Sequence, residues 1–100
     1  MTVSIFPYTI AHFHADDGSL LNGGLLFTYA AGTTTKLATY TNSGGGTPNT
    51  NPIVLNSRGE NPGGGIWLTT GTGYKFVLAN ADDTDPPTNP IWTQDNITGV

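Results

Sequence analysis

Leu25-Leu26-Phe27-Thr28-Tyr29 is the stretch on which the fold turns. Asn22-Gly23-Gly24 breaks the chain before it, and Ala30 to Thr35 turns through Gly32 after it. Leu25, Phe27 and Tyr29 fall on one face, the side-chain period of two that marks a strand. No segment carries a sustained helical period with caps; short alternating runs bounded by turn residues recur instead. Leu37 to Thr41 is the next expected strand, its Thr-rich alternation suiting a pleated surface. Ile53 to Leu55 and Ile66 to Leu68 follow, with Trp67 facing away from its neighbours. Tyr74 to Leu78 repeats the opening pattern, with Tyr74, Phe76 and Leu78 on one face, and Ile91 to Ile97 is the last strand. At the start of the chain, Val3 to Ala15 alternates, and Pro7 makes it an edge strand or two strands with a break. The expected fold is all-β: an antiparallel β-sandwich or barrel of about seven or eight short strands.

Composition agrees with this pattern. The 100 residues form a single β domain spanning residues 1–100. Charged residues are 10% of the chain, against about 25% in an average domain. Gly is 14, Pro 7, Thr 17 and Asn 9, so turn formers and small polar residues dominate. Leu, Ile, Val and Phe total 22, just enough for a core but a thin one, which favours oligomerisation. The formal net charge is −4, and Lys36, Arg58 and Lys75 are scattered, so neither nucleic acid nor a membrane surface is an expected partner. The absence of Cys excludes disulfides, thiolate metal sites and a cysteine nucleophile. The apolar runs are too short to span a bilayer. Met1 to Ile10 lacks the basic and apolar regions of a secretion signal, so synthesis in a cytosol is expected.

Thr50-Asn51-Pro52-Ile53 recurs as Thr88-Asn89-Pro90-Ile91. The flanks differ, so this is no duplication; Pro holds the preceding Asn extended, and each copy launches a strand.

In order along the chain stand Gly23-Gly24-Leu25-Leu26-Phe27-Thr28-Tyr29-Ala30-Ala31-Gly32-Thr33-Thr34-Thr35, Ala38-Thr39-Tyr40-Thr41, Thr50 to Asn56, Arg58-Gly59-Glu60, Ile66-Trp67-Leu68, Gly73 to Leu78, Trp92-Thr93 and Asp95-Asn96-Ile97. That ordered set resembles the N-terminal virion-anchoring domain of tail fibre and tailspike proteins of tailed bacteriophages. The resemblance covers residues 12–97 and leaves 1–11 as an N-terminal arm or strand. It implies a structural, non-enzymatic protein of the virion, made in the host bacterium, that attaches a receptor-binding fibre to the particle. It implies a homotrimer, with other tail or head proteins as further partners. Two departures stand out. Longer relatives continue past the Asp-Asn-Ile segment into a shaft, so this chain reads as a fragment or as a small free-standing adaptor. Asn61-Pro62-Gly63-Gly64-Gly65 is an insertion before the Ile-Trp-Leu strand.

Chemistry-bearing residues are few. His12, His14 and Asp16 would share a strand face, and His12-Phe13-His14-Ala15-Asp16-Asp17 has the look of a metallo-β-lactamase motif, but that fold needs more His and a longer chain. Six imidazoles from His12 and His14 of three chains on a threefold axis would make an octahedral cage, as in phage fibres. A strand His is far more often a surface or hydrogen-bonded residue, so neither metal nor cofactor is expected. Asp82, Asp83 and Asp85 lack the Gly and Glu of an EF-hand loop and read as a solvated loop. Glu60 is the only Glu, no nucleophile turn is present, and Gly44-Gly45-Gly46 lacks the Lys of a phosphate loop, so no enzyme is expected. The expected core or interface anchors are Tyr29, Trp67, Phe76, Leu78 and Trp92. The alternative is a carbohydrate-binding β-sandwich module that stacks sugars on exposed Trp67, Trp92, Tyr40 and Tyr74.

Overall fold

The computed structural model describes residues 3–5 as backbone, and residues 13, 14 and 18–98 in full. Among these residues the chain is all-β and antiparallel, with no helix. The strands are β1 (Val3–Ile5), β2 (Leu25–Ala30), β3 (Ile53–Val54), β4 (Trp67–Thr69), β5 (Tyr74–Ala79) and β6 (Trp92–Ile97). They form a four-stranded sheet in the order β3-β2-β5-β6 and a two-stranded ribbon, β1-β4. The larger sheet is open, with β3 and β6 at its edges.

β2 and β5 are the centre. Their register pairs Leu26 with Leu78 and Thr28 with Phe76 on one face, and Phe27 with Val77 and Tyr29 with Lys75 on the other. Both faces are covered. On the first, Leu26, Tyr74, Phe76 and Leu78 pack with Ile53, Leu55, Ile66, Leu68, Phe13 and Leu21. On the second, Phe27, Tyr29, Val77 and Ala79 form a smaller cluster with Leu25 against it. A strand buried on both faces reads as a near-continuous apolar run, which is what Leu25 to Tyr29 and Phe76 to Ala79 are. Burial of both faces of β2 and β5 is therefore supplied within the chain.

The region from Leu37 to Thr41 differs from expectation. It is not a continuous strand, because it changes partners. Leu37 N–H donates to Thr28 O at 3.0 Å on the edge of β2, while Tyr40 exchanges bonds of 2.8 and 2.9 Å with Trp67 in β4. Two residues are too few to switch from β2 to β4 and remain in one ladder. Tyr40 also lies opposite Pro48, between the bonds from Thr41 N–H to Thr47 O and from Asn49 N–H to Thr39 O. That is a non-hydrogen-bonded ladder position, so the N–H that Pro lacks is not missed.

β6 carries an extra residue. Tyr74 pairs with Ile97 but Phe76 with Gln94, and Asn96 takes a φ of 58°. Asn tolerates this left-handed conformation better than most residues. The bulge turns the Asp95 carboxylate onto Gly32 N–H at 3.0 Å, tying β6 to the turn after β2.

Candidate functional site

Tyr29, Phe76 and Leu78 lie in the core, with Phe76 and Leu78 wholly inaccessible. Trp67 is half-buried, paired on one side with Ile5 of β1 and on the other with Tyr40. Trp92 is 37% exposed, at the edge of the first face, with its ring 6.2 Å from that of Phe13. Tyr40 is half-buried. Tyr74 has no exposed surface, so its ring is not available to stack on a sugar. Of the aromatics considered for stacking, Trp92 alone is an exposed residue. The structure does not gather the four rings onto one platform. His12, Asp16 and Asp17 lie outside the described residues, and His14 is exposed, bridged to Leu20. Among the described residues no group of three or more His, Cys, Asp or Glu side chains is placed to hold a metal.

What the structure does gather is a set of polar ties. Asn51 is the first. Its Nδ2 donates to Thr28 O at 2.8 Å and its Oδ1 accepts from Thr28 N–H at 3.1 Å. The carboxamide stands in for a peptide group on the edge of β2, at the residue where β3 has ended and Leu37 joins. Thr28 Oγ1 closes the same edge by donating to Leu37 O at 2.8 Å. Tyr74 is the second. Its hydroxyl donates to Ala38 O at 2.6 Å and accepts from Thr69 N–H at 3.0 Å. A side chain of the main sheet thereby ties it to Ala38 and to Thr69 of the β1-β4 ribbon. The third is a chain of amides. Asn61 Nδ2 donates to Asn49 Oδ1 at 2.9 Å, and Asn49 Nδ2 donates to Thr39 Oγ1 at 3.0 Å. The insertion Asn61 to Gly65 is thus anchored by a buried Asn at its head and leaves its glycines at the surface. No buried side-chain polar atom among the described residues lacks a partner.

The acidic loop behaves unlike a cation site. Asp83 Oδ1 accepts from Thr84 N–H, Thr88 N–H and Thr88 Oγ1, and Oδ2 accepts from Asn89 N–H, all within 3.0 Å. These donors, Thr88 N–H first and Thr84 N–H next, hold the carboxyl down to about 2. The carboxylate is spent on its own loop. Asp85 pairs with Lys36, whose Nζ also donates to Asn51 O at 2.9 Å.

In the sequence Asn51 and Lys36 carried no structural role, and Asp83 read only as part of a solvated acidic loop. The only signal for Asn51 was its place before Pro52 in the repeated tetrapeptide. The two copies do launch strands, at Ile53 and just before Trp92, but the Asn residues differ in use. Asn51 bonds through its side chain to β2, whereas Asn89 gives its N–H to Asp83.

What the described residues bring together is apolar faces, amide ties and one exposed Trp. No protein-family model matches the chain, and no curated protein is significantly similar to it.

Proposed function

We propose that the chain is a structural bacteriophage virion protein, a tail fibre or tailspike N-terminal domain or a small adaptor, that attaches a receptor-binding fibre to the particle. The observation that carries this reading is where the resemblance-bearing residues fall. Asn51 of the Thr-Asn-Pro-Ile block and Tyr74 of the Gly-Tyr-Lys-Phe block are framework ties, joining β2 to its edge segments and one layer to the next. Residues that recur to hold a scaffold, rather than to line a cleft, fit a non-enzymatic module. In this reading the architecture is a β-sandwich. The four-stranded sheet is one layer, and β1, β4 and the bridge positions Tyr40 and Pro48 form the second in that order. The protein acts as a homotrimer, docks on other tail or head proteins, uses no cofactor, and resides in the virion after synthesis in the bacterial cytoplasm.

Of the expected anchors, Trp67 and Trp92 are the two with surface left for a subunit contact; Tyr29, Phe76 and Leu78 serve the core. The test is Trp67→Ala and Trp92→Ala, scored by oligomeric mass and by incorporation into particles. Both are expected to reduce assembly while the sheet stays folded. Unchanged mass and incorporation in both variants would overturn the assignment.

The exposure of Trp92 favours one alternative, a sugar-binding surface. Titration with a glycan panel, followed by Trp fluorescence, separates the two. Quenching that is lost in Trp92→Ala favours the sugar-binding module, and an unresponsive panel favours the virion role.

A further inference from the structure

The second face of the sheet is buried. Phe27 and Ala79 there have no exposed surface, and Tyr29 has almost none. Residues 80–90, between β5 and β6, are placed to cover them. At one end a Cβ on Gly23 would lie 3.4 Å from Ala81 Cβ, just ahead of β2. At the other, Asp85 reaches Lys36, the bridge partner of Tyr29, near enough to act on the Tyr29 hydroxyl. Ala81 thus stands beside the start of β2 and Asp85 beside the partner of Tyr29 near its end.

Two features of this segment differ from the rest of the molecule. It is built on itself, because the Asp83 carboxylate collects Thr84, Thr88 and Asn89, Thr84 Oγ1 donates to Pro86 O, and Asp83 N–H donates to Asn80 O. Its neck is closed by Ile91 N–H donating to Leu78 O at 2.7 Å, the arrangement of an Ω-loop. Yet among the described residues its one side-chain hydrogen bond to the body of the protein is Asp85 to Lys36. That pair is 41% and 45% exposed, and ion pairs so exposed to water hold weakly.

We propose that residues 80–90 are a releasable cover: a preformed loop that lifts from Leu25, Phe27, Tyr29 and Val77 as a unit, with the Lys36–Asp85 pair as its latch, while the four-stranded sheet stays folded. Opening of this kind belongs to the local, low-stability end of native-state fluctuations. Its product is an aromatic face presented by a rigid sheet.

The test uses the full chain and an endoproteinase that cuts before Asp, with Asp82 and Asp83 as reporter bonds, alongside a fluorescent dye that binds apolar surface. Lys36→Met and Asp85→Asn are each expected to raise both the cutting rate and the dye signal about two- to fivefold, the range of an exposed ion pair. Far-UV circular dichroism stays unchanged. The double variant is expected to be no faster than either single, because the two residues act as one latch. Additive effects, or unchanged rates in both singles, would overturn the latch. Cutting that rises only together with loss of sheet signal would overturn the cover, because the loop would then open only with the whole fold.

Discussion

At Asn51 one side chain does the work of a peptide group, and substitution separates its two functions. Asn51→Leu strips both bonds from Thr28 and is expected to cost about 1–3 kcal/mol in urea denaturation. Asn51→Asp keeps the acceptor but places a carboxylate against Thr28 O, so it should be the worse of the two at neutral pH. Tyr74→Phe removes the partner of Ala38 O and Thr69 N–H and should cost a similar amount, about 1–3 kcal/mol, with the ring still packed. Asp83 sets a pH dependence. Its folded carboxyl lies near 2, below the unfolded value of about 3.9, so its contribution is complete above pH ~4 and is lost as pH falls through ~2. Amide exchange at Thr88 and Asn89 should accelerate across that window, and Asp83→Asn should abolish the step. Tyr29 acts at the other limit. Burial first, then the Asp85 carboxylate, hold its hydroxyl above the ordinary range, so its stabilisation is present below pH ~10 and lost above it. The burial of Tyr74 was legible from its alternation with Phe76 and Leu78. The tie made by its hydroxyl was not, because Ala38 stands 36 residues away and no local pattern brings it near.

Among the elements, the two long apolar runs were legible because alternation and turn residues are local signals. β2 and β5 appear where Leu25 to Tyr29 and Tyr74 to Leu78 pointed, and both extend one residue further. The segment from Leu37 to Thr41 was misread for a physical reason: its Thr-rich composition reports strand preference, whereas its pairing is split between Thr28 and Trp67. The bulge of β6 was equally silent, since an extra residue in a polar strand changes no hydrophobic period. One glycine fixes how elements meet. Gly59 has a φ of 70°, and a Cβ there would lie 2.4 Å from Phe13 O. Its carbonyl accepts from Phe13 N–H at 2.9 Å, which holds Phe13 in the core and beside Trp92. Gly59→Ala is expected to cost at least about 1–3 kcal/mol and to shift Trp fluorescence as Phe13 leaves its place. Leu78→Ala, at the centre of the sheet, should cost about 2–5 kcal/mol, whereas Val54→Ala, 52% exposed on the edge strand β3, should cost far less. Thermal or urea unfolding of the pair checks the contrast.

For the whole molecule, few charges and a thin core were the first facts, and the structure changes what they mean. Both faces of the central strands are buried within the chain, so it meets much of its own need for cover. The reason to expect a partner now rests on the surface: a chain with 10% charged residues, two open sheet edges, and the apolar side chains Trp92, Leu20 and Val54 exposed. The proposed self-association draws on that surface. The proposed role in a virion rests on the ordered resemblance of residues 12–97 together with the use of Asn51 and Tyr74 as framework. Self-association is the property that a fibre-anchoring module must have and a sugar-binding module need not. Light scattering coupled to size exclusion measures it directly. The account predicts a mass three times the 10.4 kDa of the chain, reduced towards one chain by Trp67→Ala and Trp92→Ala. A single-chain mass that persists at high protein concentration would contradict it.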